Sequence, residues 1–146
     1  MKKEIQDFIK SQNIAIVGAS PSRKKFGNTA YRNLKDKGYN VYPVHPQAES
    51  VEGDPVFPDL TSLPDGVDAA LVVISPEKAS EIIDDILRTG IKKVWFQQGA
   101  DFSDAAEKAK KQGLEVVTGK CILLYTPVVT GLHALHRFFA RLFRKL

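Results

Sequence analysis

The sequence predicts an α/β fold, a doubly wound and mostly parallel sheet with helices on both faces. Short runs rich in β-branched residues alternate along the chain with longer helical patterns, which is typical of parallel strands joined by crossover helices. Some of these runs, such as Ala-Ala-Leu-Val-Val-Ile at 69–74, are apolar throughout. Continuous apolar runs indicate central strands that are buried on both faces.

The predicted elements follow one another in a regular order. Strands are expected at 14–18, 40–44, 69–74, 93–96 and 115–117, and helices at about 27–38, 77–89 and 102–112. Each of these helices is followed by a glycine that suits a left-handed cap, at Gly38, Gly90 and Gly113. An amphipathic helix carrying Ile5, Phe8 and Ile9 precedes the first strand. The segment 45–68, rich in proline and glycine, predicts an excursion with at most one short strand, near Val56.

A basic amphipathic helix is predicted at the C-terminal end, at about 129–146. Its apolar residues recur at spacings of three and four: Leu132, Leu135, Phe138, Phe139, Leu142, Phe143 and Leu146. We expect residues 1–146 to form one domain with a core at about 12–121, and this helix to pack on the sheet or on a second subunit of a homo-oligomer. The alternative is an interaction module, in which the helix lies on an anionic membrane surface or binds a partner.

Length and composition restrict the class of protein. The 146 residues suffice for one domain with a core and leave no room for a separate catalytic domain. A single cysteine, Cys121, excludes an internal disulfide framework and a cysteine cluster for zinc. The first residues have no apolar run long enough for a signal peptide, and no segment reaches the length of a transmembrane helix. These features predict a cytoplasmic protein.

The net charge of +4 is unevenly distributed. Residues 131–146 carry four basic residues and no acid, so they alone account for the total. Residues 1–48 contain nine basic and three acidic residues, whereas residues 49–130 contain eight and fourteen. This pattern disfavours nucleic acid as a partner and predicts a local anion site in the first third of the chain.

Residues that directly follow the predicted strands form the candidate site, because ligands of doubly wound sheets bind at the carboxyl ends of the strands. Gly18, Ala19 and Ser20 follow the first strand and carry little bulk, so their backbone N–H groups can approach a phosphate. The basic residues of the same loop and the start of the next helix add to this site: Arg23, Lys24, Lys25 and Asn28.

An NAD(P)-dependent oxidoreductase or a nucleotide-binding enzyme is the first alternative, and the sequence disfavours it. An NAD site requires an acidic residue at the end of the second strand to bind the ribose hydroxyls. That position reads Pro43-Val44-His45-Pro46, without an acid. No catalytic triad, nucleophile elbow or carboxylate pair is present. Because His133 and His136 have no third ligand nearby in sequence, no metal site is predicted.

Three motifs together resemble the stand-alone CoA-binding domain proteins, which are similar to the CoA-binding domain of the succinyl-CoA synthetase alpha subunit. They are Ile-Ala-Ile-Val-Gly-Ala-Ser at 14–20, Gly-Tyr-Asn-Val-Tyr-Pro-Val-His-Pro at 38–46 and Val-Trp-Phe-Gln-Gln-Gly at 94–99. The likeness covers about residues 12–121. It implies a Rossmann-like fold that binds coenzyme A or an acyl-CoA without catalysis, in a binding, sensing or carrier role.

The resemblance also implies a task for each strand-end segment. Residues 18–20 would contact the diphosphate of coenzyme A, and Pro43, Val44, His45 and Pro46 would border its adenosine part. Ser75 and Pro76 would line the ligand, and Gln97, Gln98 and Gly99 would face the pantetheine arm. Cys121 falls in the family's late cysteine-containing segment, near the expected thiol end of the ligand, although burial as a small apolar residue is the alternative.

Overall fold

The computed structural model describes residues 2–22 and 24–127, and the predicted α/β class is confirmed there. The strands are β1 (Asn13–Val17), β2 (Asn40–Val44), β3 (Ser50–Val51), β4 (Asp54–Pro55), β5 (Ala69–Val72), β6 (Lys93–Gln97) and β7 (Glu115–Lys120). The α-helices are α1 (Lys3–Ile9), α2 (Phe26–Lys37), α3 (Pro76–Ile86) and α4 (Ser103–Lys111). Two short 3₁₀ helices span Leu60–Ser62 and Ile122–Leu124.

Five strands form one parallel sheet in the order β2-β1-β5-β6-β7. The central strand β5 is buried along its whole length, as its apolar sequence predicts. Side chains alternate between the two faces of the sheet, so Ile14 and Ile16 of β1 pack on one side and Ala15 and Val17 on the other.

The helices cover both faces and make the fold three-layered. Ile5 and Phe8 of α1 and Leu34 of α2 pack against the face that carries Ile14 and Trp95. Apolar residues of α3 and α4 pack against the opposite face: Ala79, Ile83, Ile86, Ala105, Ala106 and Ala109. The buried residues of α4 are all alanines. Each crossover helix returns the chain to the amino end of the next strand, so the carboxyl ends of all five strands lie at one edge.

Several predicted boundaries differ from the structure. Helix α3 ends at Ile86, three residues before the predicted end, and Thr89 bonds to the carbonyl oxygen of Ile86 instead of continuing the helix. Gly90 is therefore not a helix cap, whereas Gly38 caps α2 in the left-handed conformation. Strand β5 is two residues shorter than predicted and β7 three residues longer.

The excursion at 45–68 contains an antiparallel hairpin in place of one short strand. Val51 pairs with Asp54 and Ser50 with Pro55, and the two residues between them make a tight turn. Phe57 follows the hairpin and forms an isolated parallel bridge with Val44 at the end of β2. The sequence offered only Gly53 as a turn signal, which explains why the hairpin was missed. The predicted helix at 129–146 lies outside the described residues.

Candidate functional site

The strand order places one crevice at the carboxyl edge of the sheet. Strand β1 lies between β2 and β5, so the chain crosses to one side of β1 through α2 and to its other side on the way to β5. A doubly wound sheet with this order has its topological switch point between its first and third parallel strands, here β1 and β5. The loops that follow β1 and β5 therefore border the natural ligand crevice.

Gly18 is the residue at which these two loops meet. Its φ is +128°, and a Cβ built on it would lie 2.3 Å from the carbonyl oxygen of Val73. Gly27, at the start of α2, packs equally closely, since its Cβ would lie 2.4 Å from the carbonyl oxygen of Gly18. Only glycine permits both approaches. The first loop is thus pressed between the end of β5 and the N-terminus of α2.

Asn28 clamps this loop from inside the protein. Its side-chain Oδ1 accepts from the backbone N–H of Ser20 at 2.9 Å, and its Nδ2 donates to the carbonyl oxygen of Ser20 at 2.6 Å. The same Nδ2 donates to Oε2 of Glu52 at 2.9 Å, and the residue is fully buried. The sequence predicts Asn28 as a ligand-binding residue. In the structure its amide holds the loop, and its contact with a ligand stays a prediction.

Residues 21, 22, 24 and 25 of the loop are exposed, whereas Ala19 is buried in the core. The Ser20 hydroxyl accepts from the backbone N–H of Ser22 at 3.2 Å, so this N–H and that of Ser20 are both paired within the protein. The side chains of Lys24 and Lys25 lie in solvent beside the start of α2. Arg23, the third basic residue of the loop, lies outside the described residues.

At the end of β2, His45 organises its own turn. Its Nδ1 accepts from the backbone N–H groups of Gln47 and Ala48 at 3.1 and 3.0 Å, so the proton of the neutral ring is on Nε2. Pro43 and Val44 are buried in the strand, and Pro46 is exposed. The imidazole edge and Pro46 are the parts of this segment that a ligand could touch.

The segments that follow β5 and β6 contain both exposed and buried residues. Ser75 is exposed at the N-terminus of α3, and Pro76 is the first helical residue. Gln97 is buried, and its Oε1 accepts from the backbone N–H of Ile122 at 3.1 Å, so its side chain supports the chain after β7. Gln98 and Gly99 are exposed at the crevice edge.

Cys121 is half-buried and is a free thiol directly after β7. It precedes the 3₁₀ helix that Gln97 anchors, so both residues lie at the same carboxyl edge as the loop 18–25. All five predicted strand-end segments thus share one edge, spread over about 19 Å across four strand spacings. Whether they touch a ligand stays a prediction.

The hairpin β3–β4 is the part of this region that sequence reasoning missed. The two acidic residues of the hairpin bind side chains of α2. Glu52 Oε2 accepts from Arg32 Nη1 at 2.9 Å. Asp54 Oδ2 accepts from the Tyr31 hydroxyl and from Lys35 Nζ, both at 2.6 Å. Burial and the hydrogen bond to Asp54 raise the pKa of the Tyr31 phenol well above its usual range. Arg32 and Lys35, counted among the excess cations of the first third, are therefore ion-paired.

The fold and the crevice define a Rossmann-like binding domain whose ligand would lie across the carboxyl ends of β1 and β5. Comparison with protein families identifies it further, because the model of the CoA binding domain matches residues 12–127. The chain belongs to this CoA-binding family, and the resemblance seen in the sequence is confirmed.

Solved structures of similar size share the fold along most of the chain. A hypothetical protein from Pyrococcus horikoshii OT3 is 31% identical, with a TM-score of 0.78 over 84% of this chain and 87% of that one. A conserved hypothetical protein from Pyrococcus furiosus is 34% identical, with a TM-score of 0.74 over 79% of this chain and 99% of that one.

Curated relatives are of two kinds. The uncharacterized protein YneT of Bacillus subtilis is 26% identical and matches over 83% of this chain and 90% of its own length. The alpha subunit of ADP-forming acetate–CoA ligase II of Pyrococcus furiosus is 31% identical over 75% of this chain. The chain spans only 24% of that subunit and about a fifth of the other acetate–CoA ligases it matches.

Proposed function

We propose that the protein binds coenzyme A or an acyl-CoA in the crevice between the loops that follow β1 and β5, and that it performs no chemistry on it alone. The observation that carries this proposal is the switch-point loop at 18–25, which Gly18 and Asn28 fix in place beside two exposed lysines. Membership of the CoA-binding family supports the choice of ligand.

The charge of the site suits this ligand. Coenzyme A carries a diphosphate and a 3′-phosphate, and charge-assisted hydrogen bonds to phosphate are about twice as strong as neutral ones. Lys24 and Lys25 supply such donors next to the N-terminus of α2, where the helix dipole also favours an anion. Because Arg32 is already paired with Glu52, we assign the phosphates to the lysines of the loop.

The other segments would follow the ligand along the edge of the sheet. We propose that Pro46 and the imidazole of His45 border the adenosine part, and that Ser75, Gln98 and Gly99 lie along the pantetheine arm. Cys121 would then lie near the thiol. A binding, sensing or carrier role follows for the chain, and its location in the cytoplasm stays a prediction.

Titration calorimetry of the full chain tests the choice of ligand. We expect saturable binding of coenzyme A, weaker binding of 3′-dephospho-CoA because it lacks one phosphate for the lysine loop, and no comparable heat with NAD or ATP. Absence of heat with coenzyme A would overturn the proposal, and tighter binding of NAD would favour the oxidoreductase alternative.

Substitution of Ser20 tests the position of the site. Ser20→Trp adds an indole to the loop where we place the diphosphate, so we expect binding of coenzyme A to fall at least about 100-fold, a loss of about 3 kcal/mol. Gln112→Trp is the matched control, because Gln112 is exposed at the C-terminal end of α4, away from the carboxyl edge. Equal affinity of the Ser20 variant and the control would remove the loop from the site.

A further inference from the structure

We propose that Glu52, at the tip of the β3–β4 hairpin, is a positioning residue for the loop between β1 and α2. It acts through Asn28, which in turn holds the backbone of Ser20. Its consequence for ligand binding rests on the proposed function, whereas its effect on the loop itself does not. No side chain of the hairpin was among the residues that the sequence pointed to.

The backbone of Glu52 adopts a conformation that is unfavourable for glutamate. Glu52 and Gly53 form the two-residue turn of the hairpin, with φ of +53° and +80°. Two positive φ values are typical of a type I′ turn, for which Asn-Gly is the preferred sequence. Glutamate is rare in this conformation, and an observed outlier of this kind points to a task for the residue.

The side chain of Glu52 turns inward and is engaged there. It is only 7% exposed, and its Oε2 accepts from Arg32 Nη1 and from Asn28 Nδ2, both at 2.9 Å. A carboxylate at such depth is tolerated only when it is paired and hydrogen-bonded. The pairing therefore fixes the tip of the hairpin against the first turns of α2.

Asn28 transmits this constraint to the loop. Because a carboxylate only accepts hydrogen bonds, the group of Asn28 that faces Glu52 must be its NH₂. Its Oδ1 then faces the N–H of Ser20, and the second amide hydrogen bonds to the carbonyl oxygen of Ser20. Without Glu52, one amide hydrogen of a fully buried side chain loses its acceptor. The shape of the loop around Ser20 thus depends on a residue 32 positions later in the sequence.

The same hairpin provides the control. Asp54 also fastens it to α2, because its Oδ2 accepts from the Tyr31 hydroxyl and from Lys35 Nζ. Asp54→Asn weakens the attachment of the hairpin to α2 in the same way that a change at Glu52 does. If Glu52 only attaches the hairpin to α2, hydrogen exchange of the Ser20 amide should change equally in both variants.

Glu52→Asn removes the contact with Asn28 while it keeps a residue that suits the hairpin turn. Asparagine improves the turn, since it creates the Asn-Gly sequence of a type I′ hairpin, but it is too short to replace the carboxylate at Asn28. We expect hydrogen exchange of the Ser20 amide, followed by NMR, to accelerate about tenfold, the size expected for loss of one hydrogen bond to a charged group. The side-chain NH₂ resonances of Asn28 should shift in the same variant.

Two further variants complete the experiment. Glu52→Gln keeps the length of the side chain and an oxygen that can accept from Asn28, so we expect most of the protection of Ser20 to return. Asp54→Asn should leave exchange of the Ser20 amide within about twofold of the original chain. Affinity for coenzyme A, measured by calorimetry, should fall about tenfold in Glu52→Asn and stay within twofold in Asp54→Asn.

The failure of this inference differs from the failure of the proposed function. If Glu52→Asn leaves exchange of Ser20 equal to that in Asp54→Asn, Glu52 does not position the loop. If exchange accelerates while affinity for coenzyme A is unchanged, the positioning role in binding is wrong and the proposed function stands. If the original chain binds no coenzyme A, the proposed function is wrong, and the exchange of Ser20 still decides whether Glu52 holds the loop.

Discussion

At the scale of single residues, close backbone approaches shape the crevice more than side-chain chemistry does. Gly18 reaches the carbonyl oxygen of Val73 with a positive φ, and Gly27 reaches the carbonyl oxygen of Gly18. Neither contact can be read from the sequence, where Gly18 is simply the residue after a strand. The contacts bring the loop, the end of β5 and the start of α2 together.

Gly18→Ala tests this close approach. The new Cβ would meet a backbone oxygen at 2.3 Å in a conformation that alanine rarely adopts, so steric overlap and strain add. We expect the free energy of unfolding to fall by about 3 kcal/mol, measured by urea titration. Gly99→Ala is the control, because Gly99 has a similar φ of +115° with open space around its Cβ, and strain alone should cost about 1 kcal/mol. Equal losses in both variants would show that the contact with Val73 is not limiting.

At the scale of elements, helix α1 is fixed to the opposite, amino-terminal edge of the sheet. Phe8 packs edge-on against Trp95 with ring centroids 5.3 Å apart. Lys93 Nζ donates to the carbonyl oxygen of Asp7 at 3.2 Å and to the hydroxyl of Ser11 at 2.8 Å. Glu115, at the start of β7, faces the same helix across Lys3. A cluster of charges thus joins α1 to two strands, far from the proposed ligand.

One carboxyl group of this cluster, that of Glu115, lies where its ionised form is disfavoured. Burial raises the pKa of Glu115, and the neighbouring Asp7 raises it further, while Lys3 and Lys93 oppose the change. Oε2 of Glu115 is buried without a hydrogen-bond partner. A glutamate whose pKa is higher in the folded chain favours folding below the ordinary glutamate pKa of about 4.3, and this contribution is lost as the pH rises through the folded value.

Glu115→Gln should therefore stabilise the protein at neutral pH. We expect a higher Tm than that of the original chain at pH 7, and a difference that shrinks towards zero as the pH falls below about 4, where the glutamate becomes protonated in both states. Thermal unfolding across this pH range measures the difference. Glu107→Gln is the control, since Glu107 is exposed on α4 and pairs with Lys111 at the helix surface. A Glu115 variant that is less stable at pH 7 would contradict the assignment.

At the scale of the whole molecule, periodicity and strand-end position predicted most of what the structure contains. The five parallel strands and the helices between them follow from apolar runs and helical spacing, and parallel pairing then brings all the strand ends to one edge. The hairpin escaped because two-residue strands have no periodicity, and Glu52 is a poor signal for the turn it makes. The sequence does not predict the structural role of Asn28 either, because Glu52, which binds its side chain, belongs to the excursion at 45–68.

The distribution of charge shows the same limit. The excess of positive charge in residues 1–48 predicted an anion site, but Glu52 and Asp54, from the acidic middle of the chain, fold back onto Arg32 and Lys35. Lys37 is also engaged, because its Nζ donates to the carbonyl oxygen of Leu123 and to Thr126. Lys24 and Lys25, which lie at the switch-point loop, keep exposed side chains.

The basic C-terminal segment provides the last prediction. Residues 129–146 contain four basic residues and no acid, so their removal takes the net charge from +4 to zero. No residue proposed for the ligand lies beyond Cys121, and the family match ends at 127, so we expect affinity for coenzyme A to change by less than about twofold, or 0.4 kcal/mol.

We also expect loss of solubility or of an oligomer, measured by light scattering, because the apolar stripe of this segment is predicted to pack on the sheet or on a second subunit. A truncated chain that stays unchanged in solution and no longer sediments with anionic lipid vesicles would instead assign the segment to a membrane surface. A large loss of affinity for coenzyme A would show that the ligand reaches beyond the carboxyl edge described here.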